Sequence, residues 1–169
     1  MAETWDLFDA ERKSLHQTMQ RGDPVPAGAH HVVADIWTIT PDGQFLLTQR
    51  APGKKYAGMW ECTGGSVLAG ESSEDGARRE LHEETGLCAA PGQLKRIHSI
   101  CLFERFVDTY VFHSPVVLDQ LRLQACEVCD ARLVTFDELC RLFAGGQVMP
   151  RERFPLYRAQ LEAELAAAW

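Results

Sequence analysis

The sequence predicts an α/β (α+β) protein, a sandwich built around a mixed central sheet. Two observations support this class: a hairpin of two apolar strands precedes a well-bounded helix, and further strands lead to helices near the C-terminus. A chain of 169 residues is long enough for one domain, and a second full domain is not expected. We therefore expect a single domain over residues 1–169, with an N-terminal extension over 1–28, a core over 29–145 and a C-terminal helix within 146–169.

The elements of the N-terminal half follow from turn and strand signals. Residues 5–9 and 15–18 could form the two strands of a short hairpin, although a short helix fits nearly as well. Glycines and prolines predict a loop over 21–28. The β-branched and apolar residues 31–40 predict a strand, which a Pro-Asp-Gly turn connects to a second strand over 44–49.

The C-terminal half alternates strands with helices. Residues 94–103 and 106–112 predict two strands, and residues 132–135 predict a shorter one. An Asp-Glu pair opens a helix over 137–143, which two glycines end, and a proline precedes a final helix over 156–168. The expected apolar face of that final helix consists of Leu156, Gln160, Leu161 and Leu165.

The central helix is the best-defined element of the chain. Its pattern covers residues 74–85, and either Ser72 or Ser73 can cap its N-terminus with a side-chain oxygen. Gly86 can adopt the left-handed backbone conformation that ends many helices. The helix is therefore bounded at both ends by residues suited to those positions.

Three glutamates share one face of this helix. An advance of about 100° per residue brings Glu80, Glu83 and Glu84 together near its C-terminal end. Each like-charge pair costs a few tenths of a kcal/mol, and the helix dipole disfavours each anion there by about 0.3–1 kcal/mol. Such a cluster is often just a solvated charged face, but a bound cation would also explain it, and oxygen ligands alone indicate Mg²⁺ or Mn²⁺.

The glutamates belong to a longer pattern, G-x5-E-x7-R-E-L-x-E-E-x-G-L, which runs from Gly65 to Leu87. At every specified position this pattern resembles the Nudix box, the signature of the Nudix hydrolase superfamily. The resemblance implies a Nudix-type α/β/α sandwich in which the box forms loop, helix and loop. It also implies that Glu80, Glu83 and Glu84 bind one or more Mg²⁺ ions, with the backbone carbonyl near Gly64 completing the coordination.

The other box residues are expected to support the site. Gly65 lets the backbone approach closely, and Gly86 ends the helix. Arg79 could orient the carboxylates by ion pairing, and Glu71 could in turn hold Arg79. Glycines in an ordinary tight turn would look the same, so the assignment depends on their register with the helix.

The resemblance leaves the general base open, because Nudix hydrolases often take it from a glutamate shortly before the last strand of the sheet. Glu127 has that spacing here, with Glu104 and Glu83 as alternatives. We therefore expect Glu83, Glu84 and Glu127 to be the catalytic residues.

Three basic residues between the first hairpin and the box are candidate ligands for substrate phosphates: Arg50, Lys54 and Lys55. They could supply a local positive field that the acidic chain lacks overall. An ordinary basic loop is an equally good interpretation for the two lysines.

A weaker resemblance, to the branch of the superfamily related to isopentenyl diphosphate isomerase, covers most of the chain. It is carried by residues 5–9, Arg21-Gly22, His31, residues 47–50, Gly58-x-Trp60 and Gly64-Gly65. That isomerase needs a Cys-x-His arrangement just before the box helix, where this chain has Gly64 and Ser66, and Cys62 lies two residues too early. A hydrolase is therefore preferred to an isomerase. A non-catalytic ligand-sensing module is a third alternative, although such proteins usually lose box glutamates that are all present here.

Composition and charge limit the partners. Hydrophobic residues make up 46% and charged residues 24% of the chain, which is typical of a globular protein. The formal net charge of −7 argues against nucleic acid polymers and anionic membranes as partners. No apolar run of about eighteen residues occurs, and the N-terminal region has no apolar signal segment. We expect a cytoplasmic Mg²⁺-dependent hydrolase in which metal-activated water attacks phosphorus in a nucleoside diphosphate derivative or similar organic diphosphate. The sequence also leaves room for a homodimer.

Overall fold

A computed structural model describes residues 2–149 and 151–166 of the chain. The strands are β1 (Thr4–Phe8), β2 (Ser14–Gln20), β3 (His31–Ile39), β4 (Phe45–Arg50), β5 (Trp60–Glu61), β6 (Thr63–Ser66), β7 (Leu94–Leu102), β8 (Arg105–His113), β9 (Val128–Val134) and β10 (Val148–Met149). The helices are α1 (Ser73–Thr85), α2 (Phe136–Ala144) and α3 (Phe154–Ala163). Short 3-10 turns cover Leu118–Gln120 and Glu164–Ala166. Within the described ranges, no helix is both long and apolar enough to cross a membrane.

The main sheet has eight strands and mixed pairing. Its principal order is β10-β5-β4-β3-β8-β7, while β6 pairs with β3 and β9 pairs with β4. The central strand β3 runs antiparallel to β4 and β6 but parallel to β8. The predicted mixed sheet is therefore confirmed.

Alternate side chains of β3 point into two separate cores. Trp37 and Ile39 pack with buried residues of α2 and α3, whereas Ala34 and Ile36 pack against Leu81 of α1. This alternation follows from the period of two in a strand. Helices thus cover both faces of the sheet, which confirms the predicted α/β/α sandwich.

The final helix differs from its prediction. It begins at Phe154, with Pro155 in its first turn, and its buried residues include Tyr157 and Leu161. Leu156 is 44% exposed instead of buried. The two aromatic side chains set the buried face, and Leu156 lies about 200° around the helix from Phe154. Residues 167 and 168 of the predicted helix lie outside the described residues.

The N-terminal segment forms the hairpin that was one of its two interpretations, because β1 and β2 pair antiparallel. A buried ion pair joins this hairpin to the sandwich. Arg12, in the connection between the two strands, donates to both carboxylate oxygens of Asp108 at 2.8 and 2.5 Å. The hydroxyls of Ser73 and Ser99 donate to the same carboxylate at 2.5 and 2.6 Å. The first residue of α1 and the hairpin therefore share one anchor.

Candidate active site

The glycines before the central helix let three elements approach one another closely. Gly64 and Gly65 lie on β6 opposite Asp35 and Ala34 of β3. A Cβ atom on Gly64 would overlap the carbonyl oxygen of Ala34, and one on Gly65 would overlap the carboxylate of Glu80. Gly64 is thus required by a backbone contact, whereas a side chain at Gly65 would displace the Glu80 carboxylate, and α1 presents that carboxylate directly to β6.

Helix α1 begins and ends as its sequence indicates. The side chain of Ser72 accepts a hydrogen bond from the backbone N–H of Asp75, which selects Ser72 over Ser73 as the cap. Gly86 has φ = 77° and donates its N–H to the carbonyl of His82 at 2.8 Å. These caps fix where the glutamates lie relative to β6.

Arg79 connects the carboxylates of the helix to the loop before it. Its guanidinium donates to Glu71 at 2.8 and 3.1 Å and to the carbonyl of Ser66 at 2.9 Å. It also reaches Glu80 at 2.8 Å and Glu83 at 3.2 Å. The orienting contacts predicted for Arg79 and Glu71 are therefore present in the structure.

Glu84 is the most buried of the three box glutamates. It is only 5% exposed and accepts one hydrogen bond, at 3.2 Å, from the backbone N–H of Gly64. Burial, together with the nearby charges of Glu61 and Glu80, raises the pKa of Glu84 well above its usual value. Its charge has no lysine or arginine partner among residues 2–149 and 151–166.

The two other box glutamates are more accessible. Burial raises the pKa of Glu80 against the opposing influence of Arg79, and the side chain of Glu83 is 43% exposed. In the described part of the chain, no three acidic, histidine or cysteine side chains converge closely enough to form a metal-binding group. Carboxylate oxygens are the donors that a hard cation prefers, but the three glutamates do not converge as they stand, and Arg79 contacts two of them.

A cleft of about 310 Å³ gathers these residues with others that lie far away in the sequence. Glu127 lines it and forms an ion pair with Lys54. Glu104, an alternative general base, lies in the exposed turn between β7 and β8 and is not among the lining residues. The structure therefore brings Glu127 and Lys54 to the box glutamates and leaves Glu104 outside.

The three predicted phosphate ligands do not all share that cleft. Arg50 lines it, but its guanidinium is engaged with Glu61 at 2.5 Å and with the carbonyl of Lys55 at 2.7 Å. Lys55 faces a neighbouring cavity, and its ammonium lies 5.0 Å from the ring centroid of Tyr56. Lys54 and Lys55, adjacent in sequence, thus serve different parts of the surface.

Several lining residues were not identified from the sequence. Glu61 on the short strand β5 is a further carboxylate beside the site, and its burial raises its pKa despite the charge of Arg50. Glu61 lines the neighbouring cavity, whereas Arg105 and Arg21 line the cleft itself, and Arg21 comes from the N-terminal segment. The sequence signal for Glu61 was only that of an acidic residue three positions before the Gly-Gly pair.

In this α/β/α sandwich, a strand with two glycines packs against a helix whose glutamates face a cleft. This arrangement defines the class of hydrolases that carry a Nudix box. The family model described as "NUDIX domain" matches residues 29–156. The chain belongs to the Nudix family and is a hydrolase. The finer placement near the isomerase-related branch stays a prediction.

Individual relatives agree with the family. An uncharacterized Nudix hydrolase of Listeria monocytogenes is 33% identical over 150 residues, which cover 88% of this chain and 89% of that protein. The CTP pyrophosphohydrolase of Escherichia coli is 38% identical over 84 residues, half of this chain and 61% of that enzyme. The crystal structure of DR0079 from Deinococcus radiodurans superimposes with a TM-score of 0.76 at 20% identity, covering 93% of this chain and 98% of that one. At that identity the structural likeness supports the fold alone.

Proposed function

We propose that this Nudix hydrolase uses Mg²⁺ or Mn²⁺ to cleave the diphosphate linkage of a nucleoside diphosphate derivative or a similar organic diphosphate. One observation carries the proposal: the buried carboxylate of Glu84 lies beside Glu80 and has no cationic partner among the described residues. A buried anion is costly unless it is paired. A divalent cation is the partner that suits a set of oxygen donors.

The donors that we assign to the metal are the Gly64 carbonyl and the carboxylates of Glu80, Glu83 and Glu84. When bound there, a divalent metal would neutralise phosphate charge and lower the pKa of a bound water. Arg79 already holds Glu80 and Glu83 from one side, so it would limit how far these carboxylates turn. Glu83 and Glu84 are the box residues that we assign to catalysis.

Glu127 is the general base in this proposal. A carboxylate oxygen of Glu127 accepts a proton from the attacking water, whose oxygen bonds to phosphorus as the bridging P–O bond breaks. The ion pair with Lys54 holds the Glu127 side chain in the cleft. Glu83 remains the alternative base, since it lines the same cleft.

Positive side chains around the cleft receive the substrate phosphates. Arg50, Lys54 and Arg105 line it, so an acidic chain still presents cations where the phosphates arrive. Likeness to a CTP pyrophosphohydrolase over half of the chain supports a nucleotide as the substrate. A cytoplasmic location and a homodimer stay predictions from the sequence.

Hydrolysis is favoured over isomerisation by the residues before the helix. Cys62, the nearest thiol, is 5% exposed, and burial raises its pKa well above the usual value. Such a thiol is a poor nucleophile and a poor acid. Conversion of isopentenyl diphosphate to its isomer without phosphate release would contradict the proposed hydrolysis.

The decisive assay follows the products from nucleoside di- and triphosphates, dinucleotides and nucleotide sugars in the presence of Mg²⁺ or Mn²⁺. We expect Glu83→Gln and Glu84→Gln to lower kcat by at least about a hundredfold, because charge stabilisation of the transition state is removed. Glu162→Gln is the control, since Glu162 is an exposed glutamate on α3. Wild-type rates in both site variants, or uniform inactivity of the wild type, would refute the proposal, and the second result would favour a ligand-sensing module.

A further inference from the structure

The N-terminal hairpin lies outside the part of the chain that the family model matches, which is residues 29–156. Side chains of this segment nevertheless reach the cleft of the box glutamates, because Glu3, Trp5 and Arg21 are among its lining residues. Burial raises the pKa of Glu80, and the charge of Glu3 adds to that rise, so Glu3 lies within electrostatic range of the box. These contacts need an explanation of their own, since the Nudix box does not contain them.

The hairpin is fixed to the loop that precedes the box helix. The carbonyl of Thr4 accepts a hydrogen bond from the backbone N–H of Ala69 at 2.8 Å, and the carboxylate of Asp6 accepts one from Gly70 at 2.7 Å. The buried ion pair between the hairpin connection and the sandwich, described above, adds a third attachment. The open end of the hairpin is therefore held in a defined position beside the cleft.

Glu3 and Arg21 form an ion pair at this open end. The backbone N–H of Arg21 donates to the carbonyl of Glu3, and Nη1 of Arg21 donates to Oε1 of Glu3, both at 2.8 Å. The two side chains, Arg21 and Glu3, are 51% and 38% exposed. Within residues 2–149 and 151–166, this is the single hydrogen bond that the Arg21 side chain makes. The other N–H groups of its guanidinium therefore remain available to a ligand in the cleft.

Arg21 differs in this respect from two other cations of the cleft. Arg50 and Lys54 each form an ion pair with a partly buried glutamate, and breaking either pair would leave that carboxylate poorly solvated. Exposed ion pairs contribute little to stability, so Arg21 can leave Glu3 at low cost. A phosphate offers two oxygens to the guanidinium fork, which is a stronger interaction than one hydrogen bond to a carboxylate.

We infer that Arg21 is a substrate-binding residue that exchanges Glu3 for a phosphate group of the substrate. The inference rests on the proposed diphosphate hydrolysis and adds to it a binding residue from outside the Nudix match. In the bound state, the Arg21 guanidinium donates two hydrogen bonds to non-bridging phosphate oxygens. The N-terminal hairpin is thus part of the active site.

Glu3 has a role in the free enzyme. The carboxylates of the box line the same cleft, and an unpaired guanidinium there would pair with them. Such pairing would compete with a metal ion for the same oxygens. Because Glu3 is adjacent to Arg21 across the hairpin, it keeps the guanidinium away from the metal ligands until a phosphate arrives.

The test combines kinetics with binding. The values of kcat and KM are measured with Mg²⁺ for the best nucleotide of the substrate panel, and calorimetry measures the binding of inorganic pyrophosphate at millimolar Mg²⁺. Arg21→Ala should raise KM and weaken pyrophosphate binding by about tenfold each, while kcat changes less than about twofold. Arg21→Lys should give intermediate values, because an ammonium keeps the charge and loses the bidentate geometry.

Lys13→Ala is the matched control. Lys13 is an exposed cation in the connection of the same hairpin and does not line the cleft, so its removal changes the net charge equally. We expect KM and pyrophosphate affinity within about twofold of wild type for this variant. The Tm of Arg21→Ala should stay within about 2 °C of wild type, which separates lost binding from lost structure.

Glu3→Gln tests the exchange itself. If Arg21 leaves Glu3 to bind phosphate, removing the competing carboxylate should leave KM equal to or below the wild-type value. A rise in KM as large as that of Arg21→Ala would show that the intact ion pair is what the substrate needs, and it would overturn the inference.

The outcomes separate this inference from the proposed function. Unchanged KM and pyrophosphate affinity in Arg21→Ala, or equal losses in Arg21→Ala and Lys13→Ala, would overturn the inference alone, because hydrolysis itself would persist. Absence of hydrolysis in the wild type with either metal would overturn the proposed function, and pyrophosphate binding then decides the role of Arg21. A loss of affinity confined to the Arg21 variants would support that role, and equal or absent binding in all proteins would overturn it.

Discussion

Replacing Arg12 with alanine tests the ion pair that joins the N-terminal hairpin to the sandwich. The side chain of Asp108 is 0% exposed and that of Arg12 is 28% exposed. Removing one partner of a buried pair costs about 3–5 kcal/mol. Ser73 and Ser99 still donate to the carboxylate, and water can reach the space that Arg12 leaves. We therefore expect the free energy of unfolding to fall by about 2–3 kcal/mol.

Urea denaturation at pH 7 measures this loss directly, and the Tm should fall by about 5–10 °C for a chain of this size. Arg21→Ala is the matched control within the same hairpin region, because Arg21 and Glu3 form an ion pair at 2.8 Å that is largely exposed. It should change the stability by at most about 0.5 kcal/mol. A loss below about 1 kcal/mol for Arg12→Ala, or an equal loss in the two variants, would refute the role of the buried pair.

The same ion pair should make stability depend on pH in a defined window. Burial alone would raise the pKa of Asp108, but hydrogen bonds from Arg12, Ser73 and Ser99 hold it below its usual value of 3.8. A depressed folded pKa contributes stability above the unfolded pKa, and this stability is lost as the pH falls through the lower folded value. The difference between wild type and Arg12→Ala should thus be full at neutral pH and shrink below about pH 4. An equal difference at pH 3 and pH 7 would contradict this linkage.

Three further predictions concern the box. Millimolar Mg²⁺ or Mn²⁺ should raise the Tm of the wild type by mass action. The Tm of a triple variant with glutamine in place of Glu80, Glu83 and Glu84 should not rise. Equal shifts in both proteins would contradict metal binding at these residues. Gly65→Ala should weaken metal binding measured by calorimetry by at least about tenfold, because its Cβ displaces the Glu80 carboxylate, and unchanged affinity would exclude Glu80 as a ligand. Arg79→Lys should lower kcat by at least about tenfold while the Tm falls by only a few degrees, since an ammonium cannot reproduce the contacts of the guanidinium; wild-type kcat would show that these contacts are dispensable.

Elements with strong local signals could be predicted from the sequence. Helix α1 has a serine cap and a glycine terminator, so its bounds were predicted to within one residue. The strands β5, β6 and β10 have only two to four residues, which is too short for alternation to be recognised. Strand β9 starts at Val128, four residues before its prediction, because pairing with β4 extends it through polar residues.

Contacts between distant parts of the chain could not be predicted. Arg12 and Asp108 are 96 positions apart, and nothing near either residue indicates the other. Asp35 and Arg153 meet only because β3 and the segment before α3 border the same cavity. Glu127 was predicted as the general base from a spacing that the family resemblance supplied, and the structure places it in the cleft. Local sequence pattern alone gives no signal for it.

The box helix explains why stability and metal binding should be measured together in this protein. The repulsion between the glutamates at its C-terminal end is partly offset by Arg79, which contacts Glu80 and Glu83. The caps at both ends also stabilise the helix. None of these contacts reaches Glu84, which within residues 2–149 and 151–166 accepts a single hydrogen bond, from the backbone of Gly64. The unfavourable free energy of burying an unpaired charge therefore falls mainly on the Glu84 carboxylate, and a cation bound there would lower it. A variant that removes the charge at Glu84 should accordingly lose activity while it keeps or gains stability without metal, which separates a functional carboxylate from a structural one.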